Sequence, residues 1–379
     1  MPTPRPNTPT IRKTVTTLAD GRELIYYDDE ATAVSTDYRA ATDTRALPPA
    51  VSDSQLRYDV LTGEWIAVAA ERMDRTFLPP PEASPLAPSR AGTAPTEIPA
   101  ADYDVVVFEN RFPALSPRAA AQRLAPFVDS EPLWPLRAGA GRCEVVCFTS
   151  DPTARFATLG HRRARMVIDV WADRTADLSA MPGVEQVFCF ENRGREIGVT
   201  LTHPHGQIFA YPYLPPRTEA LLRQARAHRA STGGHLLADV LAAEQHSGRR
   251  VVYRGEHWSA FVPAAARWPL EVHLVPHRDV PDFTAVSEGE KDELATVYLD
   301  LLARVDRFFE GVHETPYIAA WHQAPVGDDR ELGRLHLQLF SVMRSPGRLK
   351  YLAGSESGMG AWINDTTPER IADRMREIA

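Results

Sequence analysis

The chain has 379 residues, 44% of them hydrophobic and 24% charged, with a formal net charge of −8. That is enough for a large buried core and two or more domains. No apolar run approaches the length needed to cross a bilayer, and no Lys/Arg block marks a nucleic-acid partner.

Small anions remain candidate ligands, because local arginines can hold phosphate whatever the net charge. Lysine is scarce: Lys13, Lys291 and Lys350 are the only three. The start, Met1-Pro2-Thr3-Pro4-Arg5-Pro6, lacks the apolar core of a signal peptide, so a cytoplasmic location is expected. Three cysteines, Cys143, Cys147 and Cys189, make no disulfide framework. Cys143, Val145 and Cys147 alternate with Glu144 and Val146, which suits one face of a strand. They read as core residues, with a metal pair as the weaker alternative.

In chain order, residues 1–54 hold a short strand pair around Arg22–Tyr27 and then a polar run. Leu56–Ala69 predicts strand, turn and strand, with the turn at Thr62-Gly63. Residues 78–100, rich in Pro, Ala and Ser, are expected to be mostly loop. Val105–Phe108 and Cys143–Phe148 read as strands and His161 to Met181 as a helix. Val184–Glu191 and Val199–Tyr211 give two more strands. Tyr211-Pro212-Tyr213-Leu214-Pro215-Pro216 marks a boundary. One long helical region is expected from Thr218 to His246. A second series follows: strands at Arg250–Tyr253, Trp258–Pro263 and Leu270–Pro276, a helix over Ser287–Gly311, strands at Ile318–Gln323 and His336–Val342, and a terminal helix after Pro368. The series predicts an α+β protein with an internal duplication. Its parts are an extension (1–54), a first domain (55–212) and a second (213–379). In the second copy Gln338 is expected to occupy the place of His205.

His203-Pro204-His205-Gly206-Gln207 is the chemically richest stretch. Two imidazoles flank a proline that stiffens the backbone. Gly206 lets the main chain approach a phosphate, and Gln207 can donate to a non-bridging oxygen. For a bare His-x-His, two surface histidines in a turn is the competing reading; the full pentapeptide is more specific.

With Leu61-Thr62-Gly63-Glu64-Trp65, Phe108–Leu115, Phe190-Glu191-Asn192-Arg193-Gly194, Trp321–Pro325 and Lys350–Glu356, the chain from about Arg57 onward resembles the galactose-1-phosphate uridylyltransferase family of the histidine-triad superfamily. The resemblance implies two tandem histidine-triad-like domains, each a mainly antiparallel sheet with helices packed on it, of which only the first carries a nucleophile. It implies a homodimer working in galactose metabolism. UDP-glucose and a hexose 1-phosphate would be its substrates, and no cofactor would be needed for the chemistry. His205 would attack the α-phosphorus, one ring nitrogen being held by the carbonyl of His203. Gln207 would hold a phosphoryl oxygen. Arg72, Arg75, Asn110, Asn192 and Thr200 match nucleotide- and phosphate-contacting positions, and Arg75 reads equally well as a surface ion pair. Lys350 and Glu356 match residues that hold the sugar phosphate, reaching the neighbouring subunit's site.

The pattern also breaks. Many members carry a structural zinc, but here its positions are Ser84, Ala87 and Pro152, with only His203 left, so no zinc is expected. A second metal site in some members is reduced to His322 and His336, with Gln338 in place of a third histidine and no glutamate in register near Glu219. Arg111 stands where members often have Asp, and Ser355 where some have Tyr. A relative using the same histidine on another sugar phosphate or nucleotide, including a phosphorylase or hydrolase, is therefore the alternative. A non-catalytic binding protein is disfavoured by His205, Gln207, Lys350 and Glu356.

Overall fold

The computed structural model describes residues 9–31, 41–74, 79 and 84–379. Its strands are β1 (Ile11–Thr17), β2 (Glu23–Asp29), β3 (Gln55–Asp59), β4 (Glu64–Val68), β5 (Val105–Glu109), β6 (Leu136–Ala138), β7 (Arg142–Cys147), β8 (Gln186–Arg193), β9 (His205–Tyr211), β10 (Val251–Arg254), β11 (Trp258–Phe261), β12 (Leu270–Pro276), β13 (Tyr317–His322) and β14 (His336–Ser341). The helices are α1 (His161–Ser179), α2 (Pro216–Thr232), α3 (Leu236–Ser247), α4 (Glu288–Arg307) and α5 (Pro368–Glu377).

Strands of both halves join into one 11-stranded sheet, ordered β1-β2-β5-β7-β9-β8-β13-β14-β12-β11-β10, while β4-β3-β6 form a separate small sheet. All its pairings are antiparallel. The junction is β8 with β13, in register from Tyr317 against Arg193 to Trp321 against Cys189. Separate sheets would each have left an edge of unpaired N–H and C=O groups here; pairing the two edges satisfies both. The fold class is α+β, as expected, but the two sheets are continuous. The halves mirror each other about the junction: β7-β9-β8 on one side, β12-β14-β13 on the other, with α1 and α4 in matching places in the chain.

Helices α1 and α4 cover one face. Helix α1 buries Ala164, Val167, Ile168, Trp171, Thr175 and Leu178, the spacing of one helical stripe. Helix α4 opens with a reciprocal cap between Ser287 and Glu290. Beneath them lies an aromatic core in which Trp321 of β13 packs 5.2 Å from Phe283, 5.5 Å from Tyr298 and 5.9 Å from Trp171, centroid to centroid. Glu144 of β7 points into this layer, fully buried, and accepts two bonds from Arg174 of α1, at 2.8 and 3.0 Å. That pairing is what makes the burial of either charge tolerable.

Two expected elements are corrected. The helical region after the boundary is two helices, because Gly233, at φ +73°, caps α2 in the left-handed conformation and Gly234 follows. The strand expected over Val199–Tyr211 starts only at His205. Gly198 at φ +82° turns the chain, and Pro204 has no N–H to give to a ladder.

Trp321→Ala is expected to destabilise the protein by about 3–5 kcal/mol, since it empties the core both halves share. Denaturant unfolding with matched m-values checks this.

Candidate active site

Strand pleating assigns the faces. Along β9, Ile208 and Ala210 enter the helix-covered core, while His205, Gln207 and Phe209 remain half-buried on the other face. Phe190 and Asn192 of β8 share that exposed side. Val145 and Cys147 of β7 stand opposite Gln207 and His205 in register. Cys143 and Cys147 are buried free thiols, as the alternation suggested, but on the site face rather than under the helices. Gly206, between His205 and Gln207, is a tight point of the strand. A Cβ there would lie 2.8 Å from the Phe148 ring and 2.9 Å from the Phe190 carbonyl.

Two cavities meet at His205. One, about 320 Å³, is walled by Pro85, Leu86, Phe108, Asn110, Thr200 and Gln207, with Arg72 at its side. The other, about 580 Å³, is walled by Pro152, Arg155, Glu191, Arg193 and Arg195. Asn192, like His205, faces both. The first sets apolar walls, Leu86, Phe108 and Phe209, against polar groups such as Arg72, Glu97, Asn110 and Gln207, a mixed lining that suits a nucleoside.

The two histidines hold different positions. His205 Nδ1 lies 2.7 Å from the carbonyl oxygen of His203, which can only accept. Nδ1 therefore carries the proton and Nε2 a free lone pair. Burial holds the His205 pKa below the usual imidazole value, which favours the neutral ring. His203 is 1% exposed. Its Nε2 is 2.8 Å from the Thr149 carbonyl and 2.8 Å from the Tyr103 hydroxyl, and burial pushes its pKa down to about 4.

Arg72 Nη1 donates to the Phe112 carbonyl at 2.9 Å, which holds it beside the smaller cavity. Asn110 accepts from the Phe112 N–H at 2.9 Å through Oδ1. Arg75 lies outside the described residues. Lys350 and Glu356 pair with each other at 2.9 Å and are not among the described residues lining either cavity.

The residues at the family's zinc position do not fit the metal. Ser84 is buried, with its Oγ accepting from the Leu86 N–H at 3.3 Å. Ala87 and Pro152 have no donor atom; Nε2 of His203 is shared between a carbonyl and a phenol, and its buried, unpartnered Nδ1 would be a lone ligand, which does not make a zinc site. Among the described residues no three His, Cys, Asp or Glu side chains converge on a metal-sized point. In the second half, His322 and His336 stack 4.9 Å apart. Gln338 donates to Glu271 at 2.7 Å, and that carboxylate also meets His273 at 3.2 Å. The carboxylate by these histidines is thus Glu271; Glu219 is an exposed residue of α2.

The duplication is also in a different register from that expected. His336 Nδ1 lies 2.8 Å from the Arg334 carbonyl, and His336 opens β14 as His205 opens β9. His336, not Gln338, is the counterpart of His205; Gln338 corresponds to Gln207. Matching backbone geometry sets this register, and the shared His-x-Gln-x-Phe spacing, His205-Gln207-Phe209 against His336-Gln338-Phe340, agrees with it.

Sequence reasoning missed three site residues. Glu97 lines the smaller cavity and is held by Arg22 and Arg45, with Arg111 at 3.7 Å. It brings a carboxylate to the neighbourhood where position 111 no longer supplies one. Tyr103 and Glu97 come from a loop with no periodicity to flag them. Glu191 could have been found, since it lies inside a quoted motif.

Comparison with solved structures defines the class first. The chain is 30% identical to a structure described as a uridylyltransferase, with a TM-score of 0.75, covering 86% of this chain and 98% of the other. It is 48% identical to the galactose-1-phosphate uridylyltransferase of Streptomyces lividans over 97% of this chain and 98% of the relative. It is 35% identical to that of Thermotoga maritima over 85% and 98%. Family models for the N-terminal and C-terminal domains of galactose-1-phosphate uridyl transferase match residues 48–215 and 221–379. The chain belongs to the galactose-1-phosphate uridylyltransferase family and is a nucleotidyltransferase.

Glu191 gives a pH prediction. It is 5% exposed, and burial raises its carboxyl to about 7. The folded state then binds this proton more tightly than the unfolded chain. Its contribution to stability is fully present below the ordinary carboxyl range and lost as pH rises toward 7. Glu191→Gln removes that loss. Relative to the native protein, the variant should gain on the order of 3 kcal/mol between pH 4.5 and pH 8, measurable by denaturant unfolding at the two values.

Proposed function

We propose that the protein transfers uridylyl from UDP-glucose to galactose 1-phosphate through a covalent intermediate on His205 Nε2. The observation that carries this reading is the bond from His205 Nδ1–H to the His203 carbonyl. It leaves a neutral, lone-pair-bearing nitrogen where two cavities meet, one with the character of a nucleoside site.

In the first step Nε2 bonds to the α-phosphorus. The bond from that phosphorus to the bridging oxygen breaks, and glucose 1-phosphate leaves with the electron pair. The imidazole becomes cationic, and the His203 carbonyl facing its retained Nδ1–H stabilises that charge. Gln207 donates its amide hydrogens to a phosphoryl oxygen, and Thr200 its hydroxyl, as charge builds there. In the second step a phosphate oxygen of galactose 1-phosphate attacks the same phosphorus. The N–P bond breaks, and His205 returns to its neutral form with no net proton change. Asn110 and Glu97 are the groups that would meet the nucleoside.

The functional unit in this reading is a homodimer, with Lys350 and Glu356 serving the neighbouring chain's sugar-phosphate site. Their separation from this chain's own cavities supports that arrangement. A monomer at working concentration in sedimentation equilibrium would count against it.

Intact-mass analysis after incubation with UDP-glucose tests the reading. A uridylyl adduct should appear, vanish in His205→Ala, and be discharged by galactose 1-phosphate to UDP-galactose. His205→Ala should lose on the order of 10⁴-fold in turnover, and Gln207→Ala about 10²–10³-fold. Because burial lowers the pKa of the ring, the acid-side loss of adduct-formation rate should set in below the ordinary imidazole value of about 6.5. Discharge only by a different acceptor would move the assignment to another sugar phosphate, and absence of any adduct would sink the covalent mechanism.

A further inference from the structure

Tyr103 lies in the loop before β5, is 3% exposed, and has no place in the chemistry described so far. Its hydroxyl is nevertheless the hub of a buried chain of polar contacts. It sits 2.8 Å from His203 Nε2 and 3.2 Å from the carbonyl of Leu86. The proton positions follow from which atoms can donate. The Thr149 carbonyl, 2.8 Å from the same Nε2, can only accept, so Nε2 bears the hydrogen. That hydrogen is shared between Thr149 and the phenol oxygen, and the phenol donates its own hydrogen to Leu86. Each partner is tied to the site. Leu86 walls the nucleoside-sized cavity. His203 supplies the carbonyl that orients His205.

We propose that Tyr103 is a positioning residue for the nucleophile, a hydrogen-bonded latch that fastens the His203 ring to the nucleoside-side loop at the place where the donor set cannot hold a metal. The latch works through distance. The following proline restricts the His203 backbone, and Tyr103 and Thr149 hold its ring, so the residue cannot shift as a body and its carbonyl keeps its place. A shift of that carbonyl rotates the His205 ring and takes Nε2 off line with the phosphorus. An ångström of such misplacement is worth about 10²-fold in rate. The same chain of bonds couples the nucleoside wall to the nucleophile, so a seated nucleotide and an aligned imidazole favour one another.

The inference rests on His205 as nucleophile, and the test keeps the two readings apart. Tyr103→Phe preserves the ring packing and removes only the hydroxyl. In single-turnover mixing with saturating UDP-glucose, adduct formation should slow by about 10- to 100-fold while the variant stays folded. Histidine-labelled NMR gives a readout independent of turnover: a slowly exchanging Nε2–H of His203 in the native protein, lost or exchanging fast in Tyr103→Phe. An unchanged adduct rate in a variant that has lost that signal would overturn the proposal while leaving the covalent mechanism intact. No adduct even in the native protein would instead remove the mechanism, and with it the role given to Tyr103. Should Tyr103→Phe fail to fold, the native protein still decides: a His203 Nε2–H signal unchanged by a chelator supports the latch. A His203 resonance that moves when a chelator strips bound zinc overturns it.

Discussion

The arrangement of the site depends on where strand β9 begins. Pro204 has no N–H, so the ladder cannot run back through it, and pairing starts at His205. The His203 carbonyl is thereby left outside the sheet and free to accept from the His205 ring. From that starting point the pleat sends His205, Gln207 and Phe209 to one face and Ile208 and Ala210 into the core. A strand begun one residue earlier or later would turn the imidazole toward the helices. Gly206 completes the constraint, because only a residue without a side chain fits between the Phe148 ring and the Phe190 carbonyl.

The second half shows what the same backbone does with other side chains. His336 repeats the ring-to-carbonyl bond of His205, and Gln338 the position of Gln207. Its neighbours, however, are Leu335 and Leu337, both fully buried, where the first half has Pro204 and Gly206. The imidazole is 6% exposed, and burial pushes its pKa down to about 3. The amide that would meet a phosphate is spent on Glu271. The ring-to-carbonyl geometry proposed for the nucleophile is retained there, but the space a phosphate needs is filled by the chain itself.

Much of the fold was legible because its cause is local. The apolar run at Val105–Phe108, the alternation over Cys143–Cys147 and the helical stripe from Ala164 to Leu178 record burial directly in the sequence. Less legible were features set by contacts between distant segments. Nothing near Gln186–Arg193 announces that this strand will pair with Tyr317–His322. The register of the duplication differs by two residues from the sequence expectation, although the letters carry it: His205, Gln207 and Phe209 have the spacing of His336, Gln338 and Phe340. Of the site, His205, Gln207, Asn110 and Asn192 were found and brought to the same pair of cavities. Glu97 and Tyr103 were not, because a loop carries no period.

By itself the sequence determined the chemistry on offer: an imidazole between a proline and a glycine, an amide two residues on, and no thiolates at the positions where the family resemblance implies a zinc site. Those are properties of residue type and spacing. Only the tertiary structure decided how the two imidazoles divide the work. His203 is surrounded by Thr149 and Tyr103 and is spent on holding position. His205 has one nitrogen occupied and one free at the meeting of two cavities. The difference lies in what surrounds each ring, and residues 54 and 100 positions away in the chain supply it.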